Sequence, residues 1–99
     1  MVWRHGDIMV AAVSEVPGEA APQPTKVLAL GEVTGHSHRI EDPDTADIYE
    51  YRGVRYLRVT ALAARLVHEE HKPITLPRGS YRFWHQREYT PGTIRRVID

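Results

Sequence analysis

Apolar positions along this chain come in short runs, closed off by turn residues, rather than in the long spaced stripe of an amphipathic helix. The first run is Ile8 to Val13, after Gly6-Asp7, and both of its alternate sets are apolar. That pattern suits a strand covered on both faces. Glu15 to Thr25 carries Pro17, Gly18, Pro22 and Pro24, a density that neither a helix nor a ladder interior tolerates, so an extended surface loop is expected. Lys26 to Thr34 predicts a second strand, with Val27 to Leu30 as its buried part. Gly31 and Gly35 bracket Glu32-Val33-Thr34 and suggest a bulge, a tight bend or the close approach of a ligand. Glu41 to Thr45 reads as a turn.

Asp47 to Tyr51 and Val54 to Thr60 are rich in β-formers, and Arg52-Gly53 between them is a hairpin signal. Ala61 to Val67 favours helix by propensity, but the alternation Leu62, Ala64, Leu66 favours strand, which is the reading adopted. Pro73 is expected to end that element, and Pro77-Arg78-Gly79-Ser80 to form a β-turn. Tyr81 to Thr90 is the clearest strand. It sets Tyr81, Phe83, His85, Arg87 and Tyr89 against Arg82, Trp84, Gln86 and Glu88. About seven short strands predict an all-β fold, a small single-domain barrel or two-sheet sandwich spanning residues 1–99.

Composition narrows the function. Lys plus Arg equals Asp plus Glu at 13 each, which argues against a general nucleic-acid binder or an anionic-membrane partner. There is no cysteine, which excludes disulfides, thiolate catalysis and iron–sulfur chemistry and favours the cytoplasm. No signal peptide is evident at Met1 to Asp7, and no apolar run is long enough to span a bilayer.

Six histidines in 99 residues is the compositional outlier. His36 and His38 flank Ser37, so an extended backbone sends both side chains from one face. His68 and His71 enclose Glu69-Glu70; a helix would place both imidazoles on one face, whereas on a strand end with a turn either could point inward but regular geometry does not send both. His85 lies on the Tyr81 and Phe83 face, where a hydrogen-bonded core histidine competes with a ligand. His5 is given no role. Together the histidines predict one site for a divalent transition metal, with zinc, iron, nickel and copper all compatible with imidazole. His36, His38 and His71 are the leading ligands, with His68 or His85 as alternatives. Glu32, Glu70, Gln86 and Glu88 are candidates to fix an imidazole tautomer. Glu70, Gln86 and Arg87 are the residues expected to contact the bound cofactor.

Other chemistry is poorly supported. The spacing His68-x-x-His71 is not that of a zincin protease, and no nucleophile elbow surrounds Ser37 or Ser80. Asp42, Asp44 and Asp47 read as a solvated turn. Arg52, Arg55 and Arg58 with Tyr49, Tyr51 and Tyr56 form a basic-aromatic hairpin of the kind that stacks single strands, but the neutral net charge weighs against that use.

Two resemblances bear on the site. Gly31 to His38, with Gly-Glu-Val-Thr-Gly before the His-x-His pair, resembles the first cupin metal motif, and Leu76 to Tyr81 is similar to the Pro-x-Gly turn of the second. The resemblance implies that His36 and His38 are ligands. It departs from the pattern in having only Glu41 for the glutamate after the pair and no histidine nearer the second turn than His85. Nearly the whole chain also resembles a family of small uncharacterised bacterial proteins. The shared pattern runs through Arg4-His5-Gly6-Asp7, residues 31–38, residues 68–74, Gly79 to Tyr81 and Gln86-Arg87-Glu88-Tyr89. It implies no activity.

Two functions follow as expectations. One is a metal-binding β protein of unstated reaction. The other is a non-enzymatic interaction module, in which the histidines form a structural or pH-responsive network and open edge strands receive a protein partner or a second copy of the chain.

Overall fold

Inward and outward side chains alternate along most strands of the computed structural model, which describes residues 1–31 and 34–86. Ile8 and Val10 are buried while Met9 and Ala11 face partly outward, and Leu57 and Val59 alternate with Arg58 in the same way. The elements are β1 (Val2–His5), β2 (Ile8–Val13), β3 (Ala21–Pro22), β4 (Val27–Leu30), β5 (Ser37–Ile40), a short 3-10 turn (Pro43–Thr45), β6 (Ala46–Tyr51), β7 (Val54–His68) and β8 (His71–His85). All the pairings are antiparallel.

The all-β expectation holds. The strands form one eight-stranded sheet, curled into a half-barrel, rather than two packed sheets. Its main path runs β1-β2-β8-β7-β5-β4, with β6 and β3 branching from β7. Ile8, Leu28, Leu57, Leu66 and Leu76 are essentially inaccessible and fill the concave side, with Trp3 edge-on to Tyr81 at 5.5 Å. None of the helices among the described residues is long and apolar enough to cross a membrane.

Two strands are far longer than the sequence suggests. β7 and β8 each run 15 residues and bend together. Between the pairs Val59–Gly79 and Ala63–Pro77, Thr60, Ala61 and Leu62 stand opposite Arg78 alone. The inward set changes there from Leu57 and Val59 to Ala64 and Leu66, and on β8 from Phe83 and Tyr81 to Leu76. Arg78 spans the bulge by donating from Nε to the carbonyl of Ala61 at 3.2 Å, and Gly79 takes φ 151°. Ala61 to Val67 is therefore strand, as its alternation indicated.

Pro77 to Ser80 is not a turn, and Pro73 does not end an element; both prolines lie inside β8. Among the described residues β8 there pairs only with β7, and no neighbour on its other edge calls for an N–H from proline. The similarity of Leu76 to Tyr81 to a cupin turn has no turn beneath it. The Arg52-Gly53 hairpin is present, both residues at positive φ. The Asp42 turn is present too, with the Asp42 side chain accepting from the amide of Asp44. Glu15 to Thr25 is mostly loop, interrupted by β3 and anchored by buried Val16. Glu32, Val33 and residues 87–99, including Arg87, Glu88 and Tyr89, lie outside the described residues.

Candidate metal centre

Hairpin register, more than sequence spacing, assembles the histidines. β7 and β8 meet through Glu69-Glu70, and His68 and His71 are direct partners across that turn. Partners across a ladder leave the same face, so both rings point into the site, correcting the expectation of one. Their centroids are 4.6 Å apart. β5 brings His38 beside them, at 4.4 Å from the His68 ring and 5.6 Å from that of His71. His36 precedes β5 and meets His68 edge-on at 5.7 Å.

The β1–β2 hairpin closes the group from the other side. Its turn, Gly6-Asp7, joins His5 to Ile8, and Gly6 adopts φ 63°. A Cβ on Gly6 would lie 2.6 Å from Nε2 of His71 and 3.0 Å from Cε1 of His38. A Cβ on Gly31 would lie 2.9 Å from Cβ of His36 and 3.1 Å from Nε2 of His68. The two glycines therefore leave the room that the imidazoles occupy. A cleft of about 330 Å³ opens there, with His36, His38, His68, His71 and His85 in its wall.

His5, given no role from the sequence, is 1% exposed and places Nδ1 2.9 Å from Nδ1 of His38. One nitrogen must donate and the other accept. Nε2 of His5 is buried without a hydrogen-bond partner among the described residues. An ion held by Nε2 of His38 would require that ring to donate from Nδ1 to Nδ1 of His5. Asp7 places Oδ1 3.6 Å from that Nε2 and Oδ2 3.0 Å from Nε2 of His85. Asp7 thus sets one carboxylate at the edge of the histidine group, outside its close sets of donor atoms.

The electrostatics favour the neutral form of His5, His38 and His68. Burial, and then His5 and His68, lower the His38 pKa to about 4, against a smaller opposing pull from Asp7. Burial and then His71 lower both His5 and His68. Neutral imidazole is the form that binds metal.

Among the described residues, two sets of donor atoms lie within 4.8 Å of one another: His38, His68 and His71, and His36, His68 and Glu69. The second is less suited to a metal, because Glu69 already accepts from the Ser37 amide at 3.0 Å and from Arg39 at 2.9 Å. The Ser37 amide accordingly holds the Glu69 carboxyl below its usual range. In the first set His68 accepts the Glu70 amide at Nδ1, 3.0 Å away, leaving Nε2 toward Gly31.

The remaining expected residues take other places. Glu70 reaches Nδ1 of His36 at 3.2 Å, as a tautomer-fixing group would. Gln86 instead donates its amide to the Asp7 carbonyl and accepts from Arg4 at Oε1. His85 faces Asp7 rather than either donor set. Glu32, Glu88 and Arg87 fall outside the described residues. Sequence reasoning missed His5 and Asp7, although Gly-Asp is a two-residue hairpin signal that brings the flanking residues together.

No curated protein and no solved structure matches the chain. A family model does, over residues 4–86, a span that takes in every histidine of the cleft. The chain belongs to the family described as a domain of unknown function, DUF8820.

Proposed function

We propose that this protein binds a divalent transition-metal ion through His38, His68 and His71, with Asp7 beside the ion and His36 at its margin. The observation that carries the reading is the approach of three imidazoles from three strands, their donor atoms within 4.8 Å of one another. Rotations that bring those atoms to about 3.4 Å complete a tetrahedral face. Zinc, iron, nickel and copper all suit such donors. Three protein ligands leave a coordination position toward the cleft for water or substrate, where the ion would act as a Lewis acid. The lack of cysteine accords with a reducing cytoplasm.

Elemental analysis of the full chain, purified without a histidine tag and supplemented with each metal, tests this reading. One ion per chain, lost in the double variant His38→Ala/His71→Ala, is expected. Less than about half an ion per chain with every metal overturns it.

The buried His5–His38 bond favours a second reading, a non-catalytic histidine network in a module that pairs with another protein at the sheet ends β1 and β4. NMR titration separates the two. Under this second reading, adding metal leaves every histidine resonance unchanged.

A further inference from the structure

The charges around the cleft do not cancel evenly. Both of its carboxylates already face imidazoles: Asp7 faces His38 and His85, and Glu70 faces His36. Arg4 also lines the cleft, yet among the described residues its guanidinium is in no ion pair. Two neutral acceptors hold it in place instead. Nε donates to the Gly6 carbonyl at 3.1 Å, and Nη2 donates to Oε1 of Gln86 at 3.0 Å. Gln86 is itself tied down by its amide bond to the Asp7 carbonyl at 2.8 Å. A guanidinium fixed in this way keeps its full charge and part of its planar donor fork for an incoming anion.

Leu30 adds the other half of the recognition. It lines the same cleft and is 79% exposed, an apolar side chain left open beside charged groups. The cleft, about 330 Å³, lies at the small end of ligand pockets, a size that suits a small molecule.

We infer that the cleft binds a small organic carboxylate, its carboxylate gripped by Arg4 beside the metal and its short apolar part against Leu30. The inference rests on the metal reading and deepens it by naming the ligand class. Three neutral imidazoles and the single Asp7 carboxylate would leave a divalent ion with net positive charge next to Arg4. A carboxylate satisfies both, and the apolar lip favours an organic acid over an inorganic anion.

Cobalt(II) serves as the probe metal, because its visible absorption changes when a ligand enters its coordination sphere. The full chain is loaded with cobalt(II) and titrated separately with isobutyrate and inorganic phosphate. Isobutyrate is expected to shift the spectrum saturably in the wild type. Arg4→Gln should take up cobalt(II) as the wild type does but need about tenfold more isobutyrate, or beyond, for half-saturation. Arg4→Lys should fall between, having the charge without the fork. Leu30→Ser should weaken isobutyrate more than acetate.

Half-saturation by isobutyrate at the same concentration in Arg4→Gln and wild type overturns the inference, as does a spectrum that isobutyrate leaves unmoved. A response to phosphate alone overturns the organic-acid assignment. Loss of cobalt(II) uptake in Arg4→Gln alone makes Arg4 part of the metal scaffold and also overturns it. Failure of the wild type to take up cobalt(II) overturns the metal reading, and this inference with it.

Discussion

Nδ1 of His5 and Nδ1 of His38 lie 2.9 Å apart in the interior of the sheet, so the proton state of one ring sets that of the other. Long-range nitrogen–proton NMR of the zinc-loaded protein should find the His38 proton on Nδ1, the tautomer that leaves Nε2 for the ion. His5→Ala should lower metal affinity about 10- to 100-fold, as loss of a tautomer-fixing partner does. His5→Gln, whose amide oxygen can accept the same bond, should recover part of the loss. Equal affinity in His5→Ala and wild type would remove His5 from the site.

Gly6 and Gly35 both adopt positive φ, at 63° and 88°, but only Gly6 faces imidazoles. Alanine at either position should cost about 1–3 kcal/mol in backbone strain. At Gly6 the added methyl also enters the space of His71 and His38, so metal binding should fall as well. Chemical denaturation and metal titration of Gly6→Ala and Gly35→Ala measure the two effects separately. Equal metal binding by both variants contradicts the close approach.

Metal-free protein should lose stability as the solution is acidified. The His38 pKa is depressed from 6.5 to about 4, and those of His5 and His68 are depressed too. Such groups contribute stability that is fully present above the unfolded value of 6.5 and lost as pH falls through the folded values. Denaturation midpoints measured with chelator should be flat above pH 6.5 and fall toward pH 4, and His38→Gln should flatten that fall. A midpoint constant from pH 7 to about 4 would contradict buried neutral rings.

Metal binding should also be felt in the Glu69-Glu70 turn. A neutral His68 that accepts the Glu70 amide at Nδ1 carries its proton on Nε2. Binding a cation at Nε2 would move that proton to Nδ1 and remove the hydrogen bond that the Glu70 N–H donates there. The Glu70 amide resonance should therefore shift on zinc addition, together with the histidines and unlike the Gly53 amide in the distant hairpin. A Glu70 signal unmoved by saturating zinc would exclude Nε2 of His68 as a ligand.

The sequence was most informative where local chemistry and fold agree. Arg52-Gly53 can take the positive φ of a tight hairpin, and Val27 to Leu30 has the composition of a short covered strand, so both were legible. The alternation Leu62, Ala64, Leu66 outweighed helix propensity because the sheet buries Ala64 and Leu66, although the bulge leaves Leu62 exposed. Pro73 and Pro77 misled because nothing local says that their edge of β8 has no neighbour among the described residues. His36, His38, His68 and His71 were legible as a group from composition and spacing. That His68 and His71 point the same way depends on pairing across a turn, and the part played by His5 depends on β1, whose four residues carry little pattern of their own.

The bulge at Thr60–Leu62 acts as a parity setting for the chain. Upstream of it β7 turns its odd-numbered residues, Leu57 and Val59, toward the concave side; downstream it turns the even-numbered ones, Ala64, Leu66 and His68. β8 makes the same change, from Phe83 and Tyr81 to Leu76, with Arg78 alone in the interval. β7 thus carries two residues more than its partner needs, so natural length variation in this hairpin should fall between Val59 and Ala63 while the interval from Pro77 to Gly79 stays constant.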